Sequence, residues 1–273
     1  SAPVTAVSGP ATPVRPVPYE QTRPNPGQPA PTPTAATFEA WRDGFVQRAA
    51  ARGLDRSFVQ AQLQGVAPIE RVVRLDQGQP EFSRPISAYV NGAVTAARVA
   101  EGRRRIDADP RFAALEARYG VPVEVLVGIW AMESDFGRIQ GDFDVVSAFA
   151  TLAYEGRRRD WAESQLIDTL RIISTGRASR ERLKGSWAGA MGQTQFIPEN
   201  YLKLAQDGDG DGAVDIWSSD LDALASAANL LKTAGWKPGQ EWAVEVVLPQ
   251  GFDYYLSETA RLTPTAWDQM GVK

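Results

Sequence analysis

The spacing of apolar and polar positions changes several times along the chain, and each change marks an element. After Thr37 the apolar residues Phe38, Trp41, Phe45 and Val46 recur at helical spacing, with Thr37 placed to cap the helix and Gly53 to end it. A short helix is predicted over 55–64, and 69–75 reads as a strand or extended segment. Residues 87–105 read as one long helix with Tyr89, Val90, Val94, Ala97 and Val99 facing inward. Asp109 and Pro110 open another, ending near Tyr119.

From Val123 to Met132 the residues are almost all apolar, with no polar stripe, so this helix is expected to be buried on every side. Pro122 suits its first turn, and Glu124 meets the positive end of the macrodipole there. Gly128, in its middle, costs roughly 1 kcal/mol against Ala and so predicts a second backbone packed close. The helix delivers one carboxylate, Glu133, at its C-terminal end, where Gly137 is placed to stop it. Ile129 and Trp130 share the face of Glu133. A carboxyl held against apolar side chains has a raised pKa, which a general acid working near neutral pH requires. The alternative is a solvated glutamate that merely closes a core helix.

Residues 143–152 form a further apolar helix in this reading, and Asp160 caps an amphipathic helix over 161–175. Between them stand Tyr154 and the run Arg157, Arg158, Arg159, either a solvated face or a site for anionic groups. The stretch 183–198 is rich in glycine and carries Ser186, Gln193 and Gln195. It reads as a loop or as a cleft wall, the two glutamines offering donors and acceptors suited to sugar hydroxyls. Residues 241–248 alternate and predict a strand, and Thr263 with Pro264 opens a last short helix.

Asp207, Asp209 and Asp211, with Gly212 at the sixth position and Val214 at the eighth, match the calcium loop of an EF-hand. Ala213 would contribute its backbone carbonyl. Position 12 is Ser218 where a bidentate Glu is usual, so Asp220 or Asp222 would have to close a longer loop. Helical patterns over 199–205 and 221–233 flank it. An acidic turn without metal is the alternative.

Composition narrows the chemistry. The 273 residues contain no Cys, which excludes disulfides and thiolate sites, and no His, which excludes imidazole bases and the usual zinc sites. Acid–base work falls to carboxylates, Lys or Tyr. Net charge is −4 with no basic face, which argues against nucleic acid, and no apolar run is long enough to cross a membrane. Residues 1–37 hold ten of the nineteen prolines and read as a tether, able to reach cell-wall machinery proteins. Residues 38–118 then read as a helical N-terminal domain and 119–273 as the catalytic core.

Four ordered blocks resemble the lytic murein transglycosylases of the membrane-bound B type, glycoside hydrolase family 103. They are the Tyr-Gly-Val-Pro…Gly-Ile-Trp-Ala-Met-Glu-Ser helix, the Ala-Thr-Leu-Ala-Tyr…Arg-Arg block at 150–159, the Lys-Gly-Ser-Trp-Ala-Gly-Ala-Met-Gly-Gln-Thr-Gln-Phe-Ile-Pro block and the Asp-Gly-Asp-Gly-Asp…Asp-Ile-Trp loop. The resemblance implies a mainly α (α+β) fold, a lysozyme-like core with a small β region. It also implies cleavage of peptidoglycan glycan strands between N-acetylmuramic acid and N-acetylglucosamine, with a 1,6-anhydromuramoyl product, in the periplasm and in association with the outer membrane. Glu133 would be the single catalytic acid/base. Ser186 and Gln195 match substrate-contacting positions, with Gln193 and Tyr154 in the same blocks. Arg158 and Arg159 match basic positions facing the peptide stem, and Tyr89 a cleft aromatic. Asp207, Asp209, Asp211, Ala213 and Asp222 would hold a structural Ca2+ within 207–222, in a monomer. The family continues into a C-terminal segment with a Tyr-Asn-x-Ser motif that is not found before Lys273, so an incomplete cleft floor is expected. A hydrolytic muramidase, an inactive peptidoglycan-binding scaffold and a calcium-sensing interaction protein are the alternatives.

Overall fold

The structure, a computed structural model, describes residues 37–78, 86–241 and 243–273. The proline-rich tether lies, except for Thr37, outside the described residues. Helix α1 (Phe38–Ala51) is capped by Thr37, whose hydroxyl accepts the Ala40 N–H at 3.1 Å, and α2 (Arg56–Leu63) by Asp55. Helix α3 (Glu70–Gly78) replaces the strand expected over 69–75. Its buried residues Val72 and Asp76 are four apart, so one helical face packs on the core and overrides the β-branched local preference.

The single helix expected over 87–105 is two, α4 (Ile86–Ala93) and α5 (Ala96–Ala108). Thr95 breaks it by taking an extended backbone and accepting the Arg98 N–H at 3.2 Å. Tyr89, Val90, Val94 and Val99 are exposed, not inward. Helix α6 (Arg111–Tyr119) ends at left-handed Gly120, and α7 (Val123–Ser134) follows Pro122. Strand β1 (Phe143–Asp144) leads into α8 (Val145–Glu155), so the apolar helix starts two residues later than its pattern suggests. Helix α9 (Arg159–Ser174) includes Asp160 in its first turn, and its cap position is Arg158, without a side-chain cap. Strand β2 (Lys184–Gly185) pairs antiparallel with β1, Phe143 opposite Gly185. Then come α10 (Pro198–Leu204) and α11 (Asp220–Thr233).

Two apolar clusters form the interior. The first joins Trp41, Phe45, Leu63 and Val72 of α1–α3 to Phe149, Leu152, Leu166 and Leu170 of α8 and α9, and reaches Met191, Phe196, Tyr201 and Ile216. The second joins Phe112 and Leu115 of α6 to Leu126, Val127 and Trp130 of α7 and to Leu224 and Ala228 of α11. Burying each such side chain contributes about 1.5–3 kcal/mol. Helix α7 is not enclosed on every side: Gly128 and Met132 are exposed and Val125 and Ile129 half-buried. Among the described residues no backbone packs close on Gly128, since a Cβ there would meet nothing within 4 Å.

The chain divides after Trp236, and residues 237–273 form a small unit of their own. It contains α12 (Leu256–Thr259) and α13 (Pro264–Gln269), the latter capped by Thr263. The strand expected over 241–248 does not form in its described part, 241 and 243–248. Instead Val247 and Lys273 exchange a pair of backbone hydrogen bonds, and Val244 and Val246 are exposed.

Candidate active site at the end of the central helix

Glu133 stands in the last turn of α7, where the chain makes a sharp reversal. Asp135 (φ 52°), Phe136 (φ 59°) and Gly137 (φ 82°) all take left-handed backbone there. The Ser134 hydroxyl pins the reversal by accepting the Gly137 N–H at 2.9 Å and donating to the Gln193 carbonyl at 2.6 Å. Glu133 is exposed as a residue, and among the described residues its carboxylate has no hydrogen-bond or ion-pair partner. Partial burial of the carboxyl nonetheless pushes its pKa up from the ordinary glutamate range. With no cation to hold the charge, the protonated form is favoured, the state a general acid needs. Asp135, two residues on, is paired with Arg138 at 2.7 Å and Arg98 at 3.8 Å, whereas the Glu133 carboxylate meets no cation among the described residues.

Behind Glu133, Trp130 is fully buried, edge-on to Phe112 and Phe136, with the Arg105 guanidinium 4.7 Å from its ring centre. In front, the glycine-rich stretch folds into an irregular hairpin in which Met191 bridges both Gly185 and Phe196. Gln195 takes left-handed backbone (φ 53°), and its amide donates to the Gly192 carbonyl at 2.9 Å and the Gln140 carbonyl at 3.2 Å. Ser186 is half-buried, and its hydroxyl accepts the Ala190 N–H at 3.1 Å. The turn after α7 runs directly against it, since a Cβ on Gly141 would lie 2.6 Å from the Ser186 nitrogen. Ser186 and Gln195 are thus both brought to the 137–141 turn that follows Glu133.

Other expected site residues lie elsewhere. Gln193 is buried behind α7, not in a cleft wall; its side-chain oxygen accepts the Trp130 indole N–H at 2.7 Å. Tyr154 packs edge-on to Phe38 with ring centres 5.4 Å apart, held by α1. Arg158 is no free anion site: it donates to buried Asp76 at 2.6 Å and lies over the rings of Trp161 and Trp187. Burial lowers its pKa, the Asp76 charge opposing that effect. Arg157 joins the same carboxylate. Arg159 donates to the Ala153 carbonyl at 3.2 Å. Tyr89 is exposed on α4.

Two residues escape a reading of the sequence. Asp76 lies just past the 69–75 segment read as a strand or extended, and no motif surrounds it. Gln140, whose amide donates to the carbonyls of Gly137 and Trp217 at 3.0 and 2.9 Å, is flanked by Gly137 and Gly141. Those two left-handed glycines were the available signal.

In the acidic loop, Asp207, Asp209 and Asp211 bring one carboxylate oxygen each within 4.8 Å of one another. Asp207 accepts the Gly210 and Gly212 N–H groups, which hold its pKa down. Asp222 is placed differently from the expectation. It is buried, and its oxygens accept the backbone N–H groups of Gly208 (2.8 Å), Asp209 (3.3 Å) and Asp215 (2.6 Å), bracing the loop from below. Arg182 bonds Asp215 and Ser218 at the far end. Ala213 donates its N–H to Asp211 at 2.8 Å.

The transglycosylase SLT domain family matches residues 37–273. Membrane-bound lytic murein transglycosylase B of Escherichia coli strain K12 is 38% identical over 156 residues, covering 54% of this chain and 43% of that protein. The crystal structure of SltB3 from Pseudomonas aeruginosa in complex with NAG-NAM-pentapeptide is 46% identical with a TM-score of 0.78, over 88% of this chain and 64% of that one. The Escherichia coli lytic transglycosylase Slt35 in complex with calcium is 28% identical with a TM-score of 0.74, over 91% of this chain and 80% of that one. The chain therefore spans less than two thirds of the first two relatives' lengths.

Proposed function

This chain belongs to the transglycosylase SLT domain family, and on that footing we propose that it is a lytic transglycosylase of peptidoglycan. It cleaves the β-1,4 bond between N-acetylmuramic acid and N-acetylglucosamine and leaves a 1,6-anhydromuramoyl end. The observation that carries the reading is Glu133: a carboxyl at the open end of a core helix, with no partner among the described residues and a raised pKa.

One carboxyl suffices for both halves of the reaction. Protonated Glu133 gives its proton to the glycosidic oxygen as the C1–O bond breaks, and the sugar's own acetamido group stabilises the positive charge. The resulting Glu133 carboxylate takes the proton of the C6 hydroxyl as that oxygen closes on C1. No water is consumed, and Glu133 ends protonated as it began. A hydrolytic glycosidase would need a second carboxylate to act on water or on the sugar. Asp135 is committed to Arg98 and Arg138, which supports a one-carboxylate route. Ser186 and Gln195 orient the sugar beside Glu133.

Three carboxylates this close repel one another unless a cation lies between them, so the donor set of Asp207, Asp209 and Asp211 fits Ca2+. Bound there, the ion would neutralise the loop and fix it, and it has no part in the proton transfers. Asp222 supports the loop by accepting its backbone N–H groups with the side-chain carboxylate and is not needed as a ligand. A peptidoglycan substrate supports a periplasmic location, with the glycan strand as partner.

The test is digestion of purified sacculi followed by borohydride. Anhydro ends carry no aldehyde and resist reduction. Reducible muramic acid ends would make the protein a hydrolase.

A further inference from the structure

Gln193 lies at the seam between the two apolar clusters. Its N–H donates to the carbonyl of Ile216, in the first cluster, at 2.9 Å, and its side-chain oxygen accepts from Trp130, in the second, at 2.7 Å. Its own carbonyl accepts the Ser134 hydroxyl at 2.6 Å. A Cβ on Gly137 would stand 2.3 Å from the Gln193 oxygen, so the end of this side chain is wedged between the indole and the reversal that follows α7. At 3% exposure the residue touches no solvent-facing ligand. Trp130, Ser134 and Gly137 flank Glu133 in sequence at −3, +1 and +4, so Gln193 holds the Trp130 indole and the Ser134 hydroxyl and packs against Gly137 on both sides of the acid.

We propose that Gln193 is a positioning residue for Glu133: through Trp130 and Ser134 it fixes where the carboxyl stands and how far it is drawn from water. This rests on the transglycosylase reading above for its kinetic consequence but not for its geometric one. Loss of the side-chain acceptor leaves the backbone bonds in place and frees the indole, so the last turn of α7 can rotate. Glu133 then moves toward solvent, its pKa falls toward the ordinary glutamate value, and the proton arrives from the wrong place.

The test compares Gln193→Met, which keeps the length and loses the acceptor, with Gln193→Glu, which keeps an acceptor. The Glu133 carboxyl is titrated by NMR in the intact chain, and turnover of purified glycan strands is measured against pH. In Gln193→Met, kcat is expected to fall by about tenfold or more with KM unchanged. The alkaline limb of the pH profile is expected to move to lower pH together with the Glu133 titration, and Gln193→Glu to restore both. An unchanged titration and an unchanged kcat, with only a lower melting temperature, would reduce Gln193 to a structural role and overturn the proposal. Should Gln193→Met not fold, Trp130→Phe removes the same hydrogen bond from its donor side. It must shift the Glu133 titration in the same direction, and no shift there overturns the proposal. A wild-type chain that turns over nothing contradicts the transglycosylase reading alone, because the titration still reports on Gln193.

Discussion

Asp76, in the last turn of α3, accepts from Arg158, at the opening of α9, at 2.6 Å, and the carboxylate is buried. Arg157 reaches the same group, so two of the three arginines in the run read from the sequence as a solvated face or an anion site are instead folded onto one interior acid. The pair ties the helices before the central one to the ring of Trp187, next to Ser186. Breaking a buried ion pair on one side costs about 3–5 kcal/mol, because the other charge is left without a partner. Asp76→Ala is therefore expected to lower chemical-denaturation stability by that amount. A loss of a few tenths of a kcal/mol would show the pair to be solvated.

Glu133 lends itself to a linkage experiment. Its pKa is raised in the folded state, so the folded chain holds the proton more tightly than the unfolded one. The cost to stability is absent below the unfolded pKa, about 4, and sets in as pH rises through it and beyond. Glu133→Gln removes that cost, so the variant is expected to melt above the wild type at neutral pH. The gap closes as the pH falls below about 4. Thermal melts across that range check the sign, and a variant that is less stable at pH 7 contradicts the desolvated carboxyl.

The acidic loop separates ligand from brace. Chelation of protein loaded with Ca2+ is expected to lower the melting temperature, by the equivalent of about 2.7 kcal/mol at a hundredfold excess of ion over Kd. Asp209→Ala is expected to abolish that response. Asp222→Ala strips three backbone N–H groups of their acceptor and is expected to destabilise the chain by at least about 2 kcal/mol with or without the ion. Equal behaviour of the two variants would return Asp222 to the ligand set.

Gly141 marks where the turn after α7 meets β2. Its φ is 91°, and a Cβ would stand 2.1 Å from the Gly185 carbonyl oxygen. Gly176 is also left-handed, at φ 70°, but a Cβ there meets nothing within 4 Å. Gly176→Ala is expected to cost only the backbone term, about 1–2 kcal/mol. Gly141→Ala adds a clash that displaces Ser186, and both stability and turnover fall. Equal losses in urea titrations would show the contact to be soft.

What the sequence made legible follows from where local chemistry decides structure. Thr37 and Thr263 announce helix starts because a cap is a local hydrogen bond, and both cap as expected; Asp55 and Pro122 mark their helices too, each from the cap position one residue before the helix begins. Glu133 was legible because an unbroken apolar run ending in one acid leaves few places for that acid to go. The failures are mostly long-range, although the break at Thr95 and the earlier start of α9 are local. Val72 and Val73 look like strand residues until α8 supplies a surface for one helical face. Tyr89 and Val90 fit an inward stripe, yet they are exposed on a helix that Thr95 cuts short. Gln193 is polar in a glycine-rich stretch and suggests a cleft, but a buried indole N–H 63 positions away claims its oxygen. Asp76 carries no pattern at all, because its partners lie about 80 residues downstream.

The central claim is that Glu133 alone, without a second carboxylate and without water, breaks the glycan strand. Mass spectrometry of purified peptidoglycan incubated with this chain, with Glu133→Gln in parallel, tests it most directly. The account predicts muropeptides one water lighter than muramidase products from the wild type and none from the variant. Products carrying the added water, or anhydro products that persist in Glu133→Gln, would contradict it.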